Sequence, residues 1–507
     1  MAKLKPPQNG VTVRMYRQGH GDCFLIALPR EGGGDPVYVV IDCGYKPGSQ
    51  QFIHNKPIGD TVAHLEAATG GHIDLMILTH EHQDHLNGIW RKNDPYFGDF
   101  TIDEAWLAWT EDPDDDLANE LRKRHKDQLL GLLEARRKLA LAIGEDDASV
   151  RRVDALLAFE FGGDEALTAA DLLAAADDPA ASVNKQGMKL VKDKASEKRG
   201  VSYLKPGDGP LTIPGTAGIR VFVLGPPHDA DLLADEDPHG GEGFPDDAHG
   251  LTFSAAATAP AGAGAAPFAN RFAVTIESAL NGADPFFIEH YGKEALGTDE
   301  ADRVEVADNA PWRRIDNEWL YSAENLALAL NTGINNTSLV LAFELPHSGK
   351  VLLFAGDAQR GNWISWTVPS WHVDNRTITA RELLAQTVLY KVGHHGSHNA
   401  TLAGKKSSTY ANLSWMATAP ACAKEFTAMI TAVNQWALTK NDPPWRHPLP
   451  SIKKALVRKA AGRVFQTDEN QPSKPTSVSA GTWKAFTDRA VFDQLFFDYT
   501  VIDSSNH

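Results

Sequence analysis

Short apolar runs rich in β-branched and aromatic residues recur along the chain and predict β-strands. Near the N-terminus, VTVRMY, CFLIALP and VYVVIDC follow one another, and the turn-like segment EGGGDP separates the last two. The run IDLMILTH begins at Ile73, just after Gly70 and Gly71, and ends in a cluster of histidines. Further strands are predicted at VSYL, IRVFVLGPP, TSLVLAFEL, KVLLFAGD, LLAQTVLYKVG, FTAMITAV and RVFQTD.

Apolar residues at helical spacing predict helices between these strands. The segment from Asp114 to Gly144 begins with acidic residues, ends in glycine and has an amphipathic pattern, and weaker helical character continues to about Lys198. Its basic middle is typical of a solvated helix face, and contact with nucleic acid is the alternative. A second helical pattern begins at Trp312, and SIKKALVRKAAG predicts a third that stops at Gly462.

Two segments interrupt the strand pattern and are predicted to be insertions. Residues 229–270 are acidic, glycine-rich and then rich in alanine and proline, which is typical of a surface segment of low complexity. One α/β core interrupted twice accounts for this order better than separate domains. The predicted parts are a core of residues 1–100, 200–228 and 331–470, a helical insertion at 101–199, a partly low-complexity insertion at 229–330 and a C-terminal tail at 471–507.

The composition of the chain limits its expected partners and its expected location. Its 507 residues carry a net charge of -17, which argues against general adhesion to nucleic acid or anionic lipid, although a local basic groove could coexist with an acidic surface. No apolar run is long enough to span a bilayer, so we expect no membrane segment. The start lacks the apolar stretch of a secretory signal, and the 3 cysteines are too few for a disulfide framework, so we expect a cytoplasmic location.

The segment LTHEHQDHLNG contains the strongest chemical signal in the chain. His80, His82, Asp84 and His85 form the pattern His-x-His-x-Asp-His at the end of a predicted strand. Imidazole nitrogens and carboxylate oxygens are the ligands that zinc and similar divalent ions prefer. A loop positioned by a rigid sheet is also where functional residues usually lie. The motif therefore predicts a metal site.

These residues resemble the metallo-β-lactamase fold hydrolases. Closer still is the resemblance to the soluble metallo-β-lactamase-like domain of the DNA-uptake competence protein ComEC, whose membrane channel has no counterpart here. It covers the first hundred residues and residues 331 to 470, and its matching pieces are GHGDCFLI, VVIDCG, LTHEHQDHLNG, NNTSLVLAFEL, LLFAGDA, YKVGHHGS and WRHPLPSIKKALVRKAAGRVFQTDE. The resemblance implies a four-layer αββα sandwich, here with two large, partly helical insertions.

The resemblance also implies two metal ions. It assigns His80 and His82 to the first ion, and Asp84 and His85 to the second. Asp357, in LLFAGDA, matches the bridging aspartate. The final histidine is His394 or His395, of which we favour His395 as the ligand because it directly precedes a glycine. The ions would be zinc, with manganese or iron as alternatives.

Several other residues match family positions, but their roles stay open. Asp42 and Asp22 could support the ligands or belong to ordinary turns. Asn336 and Ser338 could contact substrate or be structural, and His447 could contact substrate or be a turn residue. Many family members carry a third histidine for the first ion. The nearest match here is His228, which could equally lie in a surface turn.

The implied activity is hydrolysis by a metal-activated water, with Asp84 steering that water or accepting its proton. The resemblance favours phosphodiester substrates, either nucleic acid strands or small nucleotides. Two alternatives remain: a hydrolase of lactones, esters or β-lactams on the same site, and a non-catalytic protein that keeps the fold and binds partners. The oligomeric state does not follow from the sequence.

Overall fold

The strands predicted from the apolar runs assemble into two large β-sheets. The computed structural model describes residues 3–91, 94–145, 147–162, 182–245, 333–440 and 444–504. Within these residues the chain is a mixed α/β protein with an eight-stranded sheet, a seven-stranded sheet and two small two-stranded sheets. The predicted strands are confirmed, since each of the quoted apolar runs contains one.

One half of the eight-stranded sheet is antiparallel and is built from strands near the two ends of the chain. In the other half, four strands run parallel to one another. In spatial order its strands are β18 (Ala490–Phe492), β19 (Phe496–Ile502), β1 (Gly10–Tyr16), β2 (Cys23–Leu28), β3 (Val37–Cys43), β5 (Leu75–Leu78), β7 (Glu104–Ala108) and β8 (Gly200–Leu204). One small sheet pairs β4 (His72–Ile73) with β6 (Thr101–Ile102).

Four parallel strands form one half of the seven-stranded sheet, and antiparallel strands form the other half. In spatial order the strands are β17 (Val464–Gln466), β16 (Thr427–Ile430), β15 (Thr387–Lys391), β12 (Val351–Phe354), β11 (Val340–Glu344), β10 (Arg220–Gly225) and β9 (Leu211–Thr212). The other small sheet pairs β13 (Ser370–Val373) with β14 (Arg376–Thr379).

Helices connect and cover the strands. The described α-helices are α1 (Ile58–Thr69), α2 (Gln83–Leu86), α3 (Asp116–Ile143), α4 (Ala148–Phe161), α5 (Val183–Ser196), α6 (Ala230–Leu233), α7 (Arg360–Ser365), α8 (Ala380–Ala385), α9 (Pro420–Ala423), α10 (Asn434–Ala437), α11 (Pro450–Lys459) and α12 (Ala480–Thr487). The helices predicted from Asp114 and at SIKKALVRKAAG are confirmed as α3 and α11. The helical pattern from Trp312 lies outside the described residues. None of the described helices combines the length and the apolar character that crossing a bilayer requires.

Two hydrophobic clusters account for the packing of the large sheets. One contains buried residues of both sheets, and the ring of Phe24 lies against that of Phe354, with centroids 5.4 Å apart. The second joins the eight-stranded sheet to α1 and α5, through residues such as Val40, Leu65 and Val191. Strands that are buried on both faces read as nearly continuous apolar runs, which is why the sequence pattern located them.

The C-terminal segment, which we predicted as a tail, contributes a strand to the eight-stranded sheet. β19 pairs with β1 from Gly10 to Tyr16, and Phe497 and Val501 are buried. Across this pair the Arg14 guanidinium makes two hydrogen bonds of 2.7 Å to Asp498. The two ends of the chain are therefore joined by a strand pair and a buried ion pair.

Parts of the two predicted insertions also belong to regular structure. β7 and β8 flank the segment 109–199 and pair in parallel at one edge of the eight-stranded sheet, so the helices of that segment connect two neighbouring strands. Residues 131–154 belong to a second compact unit, in which Arg136 makes hydrogen bonds of 2.7 and 2.8 Å to Asp154. Most of the segment 229–330 lies outside the described residues.

A buried histidine beside the Arg14 ion pair leads to a pH prediction. His64 Nδ1 lies 3.5 Å from Arg14 Nη1 and 3.3 Å from the Tyr16 hydroxyl, so it accepts their hydrogen bonds as a neutral ring. Burial, followed by the charge of Arg14, lowers the pKa of His64 to about 4. The pKa of a histidine in an unfolded chain is about 6.5. Below that pH the unfolded chain therefore binds a proton at His64 that the folded chain does not bind.

We therefore expect the free energy of unfolding to fall between about pH 6.5 and pH 4, by on the order of 2 kcal/mol from this group. Urea unfolding measured across this range should show a shallower slope for His64→Gln than for the unmodified protein. Because other groups titrate equally in both proteins, identical slopes would contradict the prediction.

Candidate metal centre

The ends of three strands bring the predicted metal ligands together. His80, His82, Asp84 and His85 follow β5 in the eight-stranded sheet, the last two within the short helix α2. Asp357 follows β12, and the His394–His395 pair follows β15 within the tight turn Gly393–Gly396. Since carboxyl ends of parallel strands meet at one edge of a sheet, they are the usual place for a binding site in an α/β protein.

Four buried side chains place one possible ligand atom each within 4.8 Å of one another: Asp84, His85, Asp357 and His395. His395 Nε2 lies 2.8 Å from Asp84 Oδ2 and 3.5 Å from Asp357 Oδ2. His85 Nε2 lies 3.3 Å from the same Asp357 oxygen. The structure thus brings together the residues that the resemblance assigned to the second ion and its bridge. We call them the four-donor group.

His80 and His82 lie beside the four-donor group as a pair. The Nε2 atom of His80 is 3.0 Å from Nδ1 of His82, and the rings of His80 and His85 have centroids 4.1 Å apart. Two ligands of one zinc ion, each about 2.0 Å from it, lie roughly 3.3 Å apart, so this separation suits a shared ion. Among the described residues, no third donor completes a group with the pair.

Asp42 supports the histidine loop from below. Its Oδ2 atom lies 2.7 Å from His85 Nδ1 and accepts a hydrogen bond from Thr79 Oγ1 at 2.6 Å, while Oδ1 accepts the Thr79 N–H at 2.8 Å. Asp42 itself lies at the end of β3 with a left-handed φ of 54°. A carboxylate on Nδ1 of a histidine fixes the ring orientation and leaves Nε2 as the ligand atom.

Asp42→Asn should therefore weaken metal binding about 10- to 100-fold. Asparagine tolerates the left-handed backbone, but it replaces one carboxylate oxygen by an NH₂ group, so either His85 Nδ1 or the Thr79 backbone N–H loses its acceptor. Competition with a chromogenic chelator would measure the dissociation constant. Asp374→Asn is the matched control, because Asp374 also has a left-handed φ, of 47°, but is 86% exposed. Equal affinities in both variants would contradict the prediction.

Three further side chains hold the other ligands. Ser338 Oγ accepts the Asp357 N–H at 2.8 Å and lies 3.1 Å from His80 Nδ1, which assigns it a supporting role. His395 Nδ1 lies 3.0 Å from the Thr431 carbonyl. Asp22 accepts a hydrogen bond from the Thr431 hydroxyl at 2.5 Å and forms a buried ion pair with Lys391. Asp22 thus acts on the ligands through Thr431.

Neighbouring charges keep both carboxylates of the four-donor group ionised. Burial alone would raise the pKa of Asp84, but the Lys46 ammonium and the hydrogen bond from His395 outweigh it and hold that pKa well below its usual range. For Asp357, two histidines and Lys391 outweigh burial in the same way and lower its pKa. Burial lowers the pKa of Lys46 to about 7 against the pull of Asp84, whose Oδ1 lies 3.7 Å from its Nζ. Ionised carboxylates are the form that binds cations.

His394 and His447 lie at the rim of the group. The backbone N–H of His394 donates to Asp357 Oδ1 at 3.1 Å, while its ring nitrogens lie near Asn335 and Ser397. His447 stacks on Trp445, with ring centroids 5.6 Å apart, and lies near His20 and the ring of His394.

Two predicted residues do not join the centre. His228 stacks on Trp109 and its Nε2 lies 2.9 Å from Asp115 Oδ2, with 42% of its side chain exposed. Asn336 uses Nδ2 for three backbone carbonyls of residues 232–235, and its Oδ1 accepts the N–H groups of Gln359 and Asn362. These contacts give His228 and Asn336 roles in a surface turn and in loop packing, which were the alternatives to binding.

Sequence reasoning missed several residues that contact the centre. His20 lies with its ring centroid 4.4 Å from that of His395. Lys46 and Lys391 provide the buried positive charges beside the carboxylates. Glu160, with His125 behind it, approaches His82 from the helical segment. Of these, only His20 and Lys391 stood in quoted motifs, where GHGD and YKVGHHG could have drawn attention to them.

The four-donor group fits a divalent ion such as zinc, manganese or iron. It offers two imidazoles and two ionised carboxylates, and His85 Nε2 has no hydrogen-bond partner among the described residues. Two other groups have the spacing for a metal within the described residues. One is Asp22, Asp42 and His85, and the other is His72, Asp74 and Asp103, where arginines already pair with both carboxylates.

Comparisons with known proteins do not assign the chain. No known protein family matches the sequence, and none of the curated proteins does.

Proposed function

We propose that this protein is a metal-dependent hydrolase of the metallo-β-lactamase type whose substrates are phosphodiesters, either nucleic acid strands or small nucleotides. The observation that carries the proposal is the four-donor group, buried at the carboxyl ends of strands from two different sheets. The His80–His82 pair beside it supports a second ion. Substrate class rests on the resemblance to the domain of the competence protein.

The arrangement of layers supports the same proposal. We assign the fold to the four-layer αββα sandwich, in which the two large sheets form the inner layers. The shared hydrophobic cluster between the sheets and the packing of α1 and α5 against the eight-stranded sheet are what this assignment requires. Helices α8 and α11, which contribute Leu383 and Ile452 to the shared cluster, would belong to the fourth layer.

In this proposal each side chain has a stated task. His80 and His82 would hold the first ion, and Asp84, His85, Asp357 and His395 would hold the second, with Asp357 as the residue shared with the first. When bound, such ions lower the pKa of water and stabilise negative charge on the oxygens of the scissile group. Asp84 Oδ1, which lies 3.7 Å from the Lys46 ammonium, would orient the attacking water. His447 and Trp445 provide a flat rim for the substrate.

A screen of metal-loaded protein tests the proposal. Protein reconstituted with zinc, manganese or iron would be offered bis-p-nitrophenyl phosphate, single-stranded DNA, a lactone and a chromogenic β-lactam. We expect phosphodiester cleavage that a chelator abolishes. Turnover of the lactone or β-lactam alone would reject the substrate class, and no turnover with any metal would favour the non-catalytic alternative. Elemental analysis showing less than one ion per chain after reconstitution would reject the metal centre itself.

A further inference from the structure

The two ring nitrogens of His82 face different groups. Nδ1 lies 3.0 Å from His80 Nε2, whereas Nε2 lies 3.9 Å from Oε1 of Glu160. Glu160 is on α4, within the segment predicted as a helical insertion, and is only 7% exposed. A buried carboxylate therefore lies against the ring edge of His82 that does not face His80.

Glu160 is held in place by neighbouring helices. Its Oε2 atom lies 3.3 Å from Nε2 of His125 on α3, and its backbone carbonyl accepts a hydrogen bond from Asn184 of α5 at 3.0 Å. Oε1, in contrast, has no hydrogen-bond partner among the described residues. A buried carboxylate oxygen without a donor is costly, and the Nε2 atom of His82 is placed to supply one.

We propose that Glu160 is a positioning residue of the metal centre, which accepts the Nε2 proton of His82 and thereby leaves Nδ1 as the metal-binding nitrogen. The inference rests on the proposed function, because it requires an ion at the His80–His82 pair. A neutral imidazole carries one proton, so a carboxylate at Nε2 selects the tautomer whose Nδ1 has the lone pair. At 3.9 Å the two atoms are beyond hydrogen-bond distance, but such bonds are often long before the ligand binds, so we expect this contact to shorten when the ion is bound.

The series His82–Glu160–His125 gives the helical segment a part in the metal centre. The described residues provide no third histidine for the first ion, because His228 pairs with Asp115 instead. A carboxylate behind His82 raises the basicity of that ligand and partly offsets a donor set with few histidines. We therefore expect the affinity of the first ion to depend on α3 and α4, and that of the second to be independent of them.

Titration with cobalt(II) tests the inference without relying on catalysis. Calorimetry and the visible absorption of bound cobalt would follow two successive ions in the full-length protein. Glu160→Gln keeps the size of the side chain but removes the charge. We expect it to weaken the ion at the His80–His82 pair, which binds as the weaker equivalent, about 10- to 100-fold, while the tighter ion at the four-donor group is unchanged. Glu160→Asp should restore part of the affinity. Glu120→Gln is the matched control, an exposed glutamate on α3 that pairs with Arg124.

Each result has a separate meaning. Unchanged affinities in Glu160→Gln would overturn the positioning role, and so would a single binding event in the unmodified protein. Equal weakening of both ions together with a lower melting temperature would overturn it as well, because it would indicate a structural role. Weakening of one ion alone, in a protein that cleaves none of the screened substrates, would support the positioning role while rejecting the proposed function.

Discussion

Asp357→Asn is expected to abolish metal binding at the four-donor group and to lower phosphodiester hydrolysis by about a thousandfold or more. Asp357 Oδ2 lies close to both His85 Nε2 and His395 Nε2, at 3.3 and 3.5 Å. In asparagine, the position of Oδ2 would be taken by an uncharged amide oxygen or by an NH₂ group. Neither of them balances the charge of a divalent ion. The measurement is metal content after reconstitution, together with the hydrolysis rate at saturating metal.

The substitution also alters a supporting contact, so a control is needed. Oδ1 of Asp357 accepts the His394 N–H and faces Lys391, which keeps its ion pair with Asp22 in the variant. Asp229→Asn is a suitable control because Asp229 caps α6 through its side-chain oxygen, a role that asparagine fills equally well. Wild-type metal content in Asp357→Asn would show that the four-donor group is not the metal centre.

The local pattern of the sequence was sufficient to predict most strands of the two large sheets and one half of the site. The runs ending at Leu78 and Phe354 are apolar because these strands are buried, and the polar residues that follow them lie at strand ends for the same reason. The order of motifs then placed Asp357 and His395 with the histidine loop, although about 270 and 310 residues separate them from it. A contact of this range follows from the family resemblance and not from spacing.

The parts that could not be predicted depend on tertiary contacts that leave no local signature. Glu160 and His125 lie on helices whose charged residues have the pattern of solvated faces, and only the packing of α3, α4 and α5 makes Glu160 a buried neighbour of His82. His228 shows the opposite error. It stands after a strand, as a ligand would, but its ring packs on Trp109 at the surface.

The C-terminal strand was missed for a related reason. A strand that mixes polar and apolar residues gives only a weak strand pattern, so its sequence alone does not distinguish it from an irregular tail. Here the strand pairs with β1, near the other end of the chain. β19 buries Phe497 and Tyr499 against Phe465, and it supplies Asp498 to the buried Arg14. Losing a buried aromatic side chain costs about 3–5 kcal/mol, and leaving a buried charge without its partner costs a similar amount.

A chain that ends at Asp488 is therefore expected not to reach the native fold, because these losses together are as large as the stability of most domains, about 5–15 kcal/mol. Without β19, the backbone groups of β1 that face it would lose their partners, while the pairing of β1 with β2 would remain, and Arg14 would be left buried without Asp498. Near-ultraviolet circular dichroism and thermal unfolding would measure the effect, with a chain ending at Ser504 as the control that keeps β19 intact. A shortened chain with a native spectrum and a melting temperature within a few degrees of the control would mean that the segment is a dispensable tail after all.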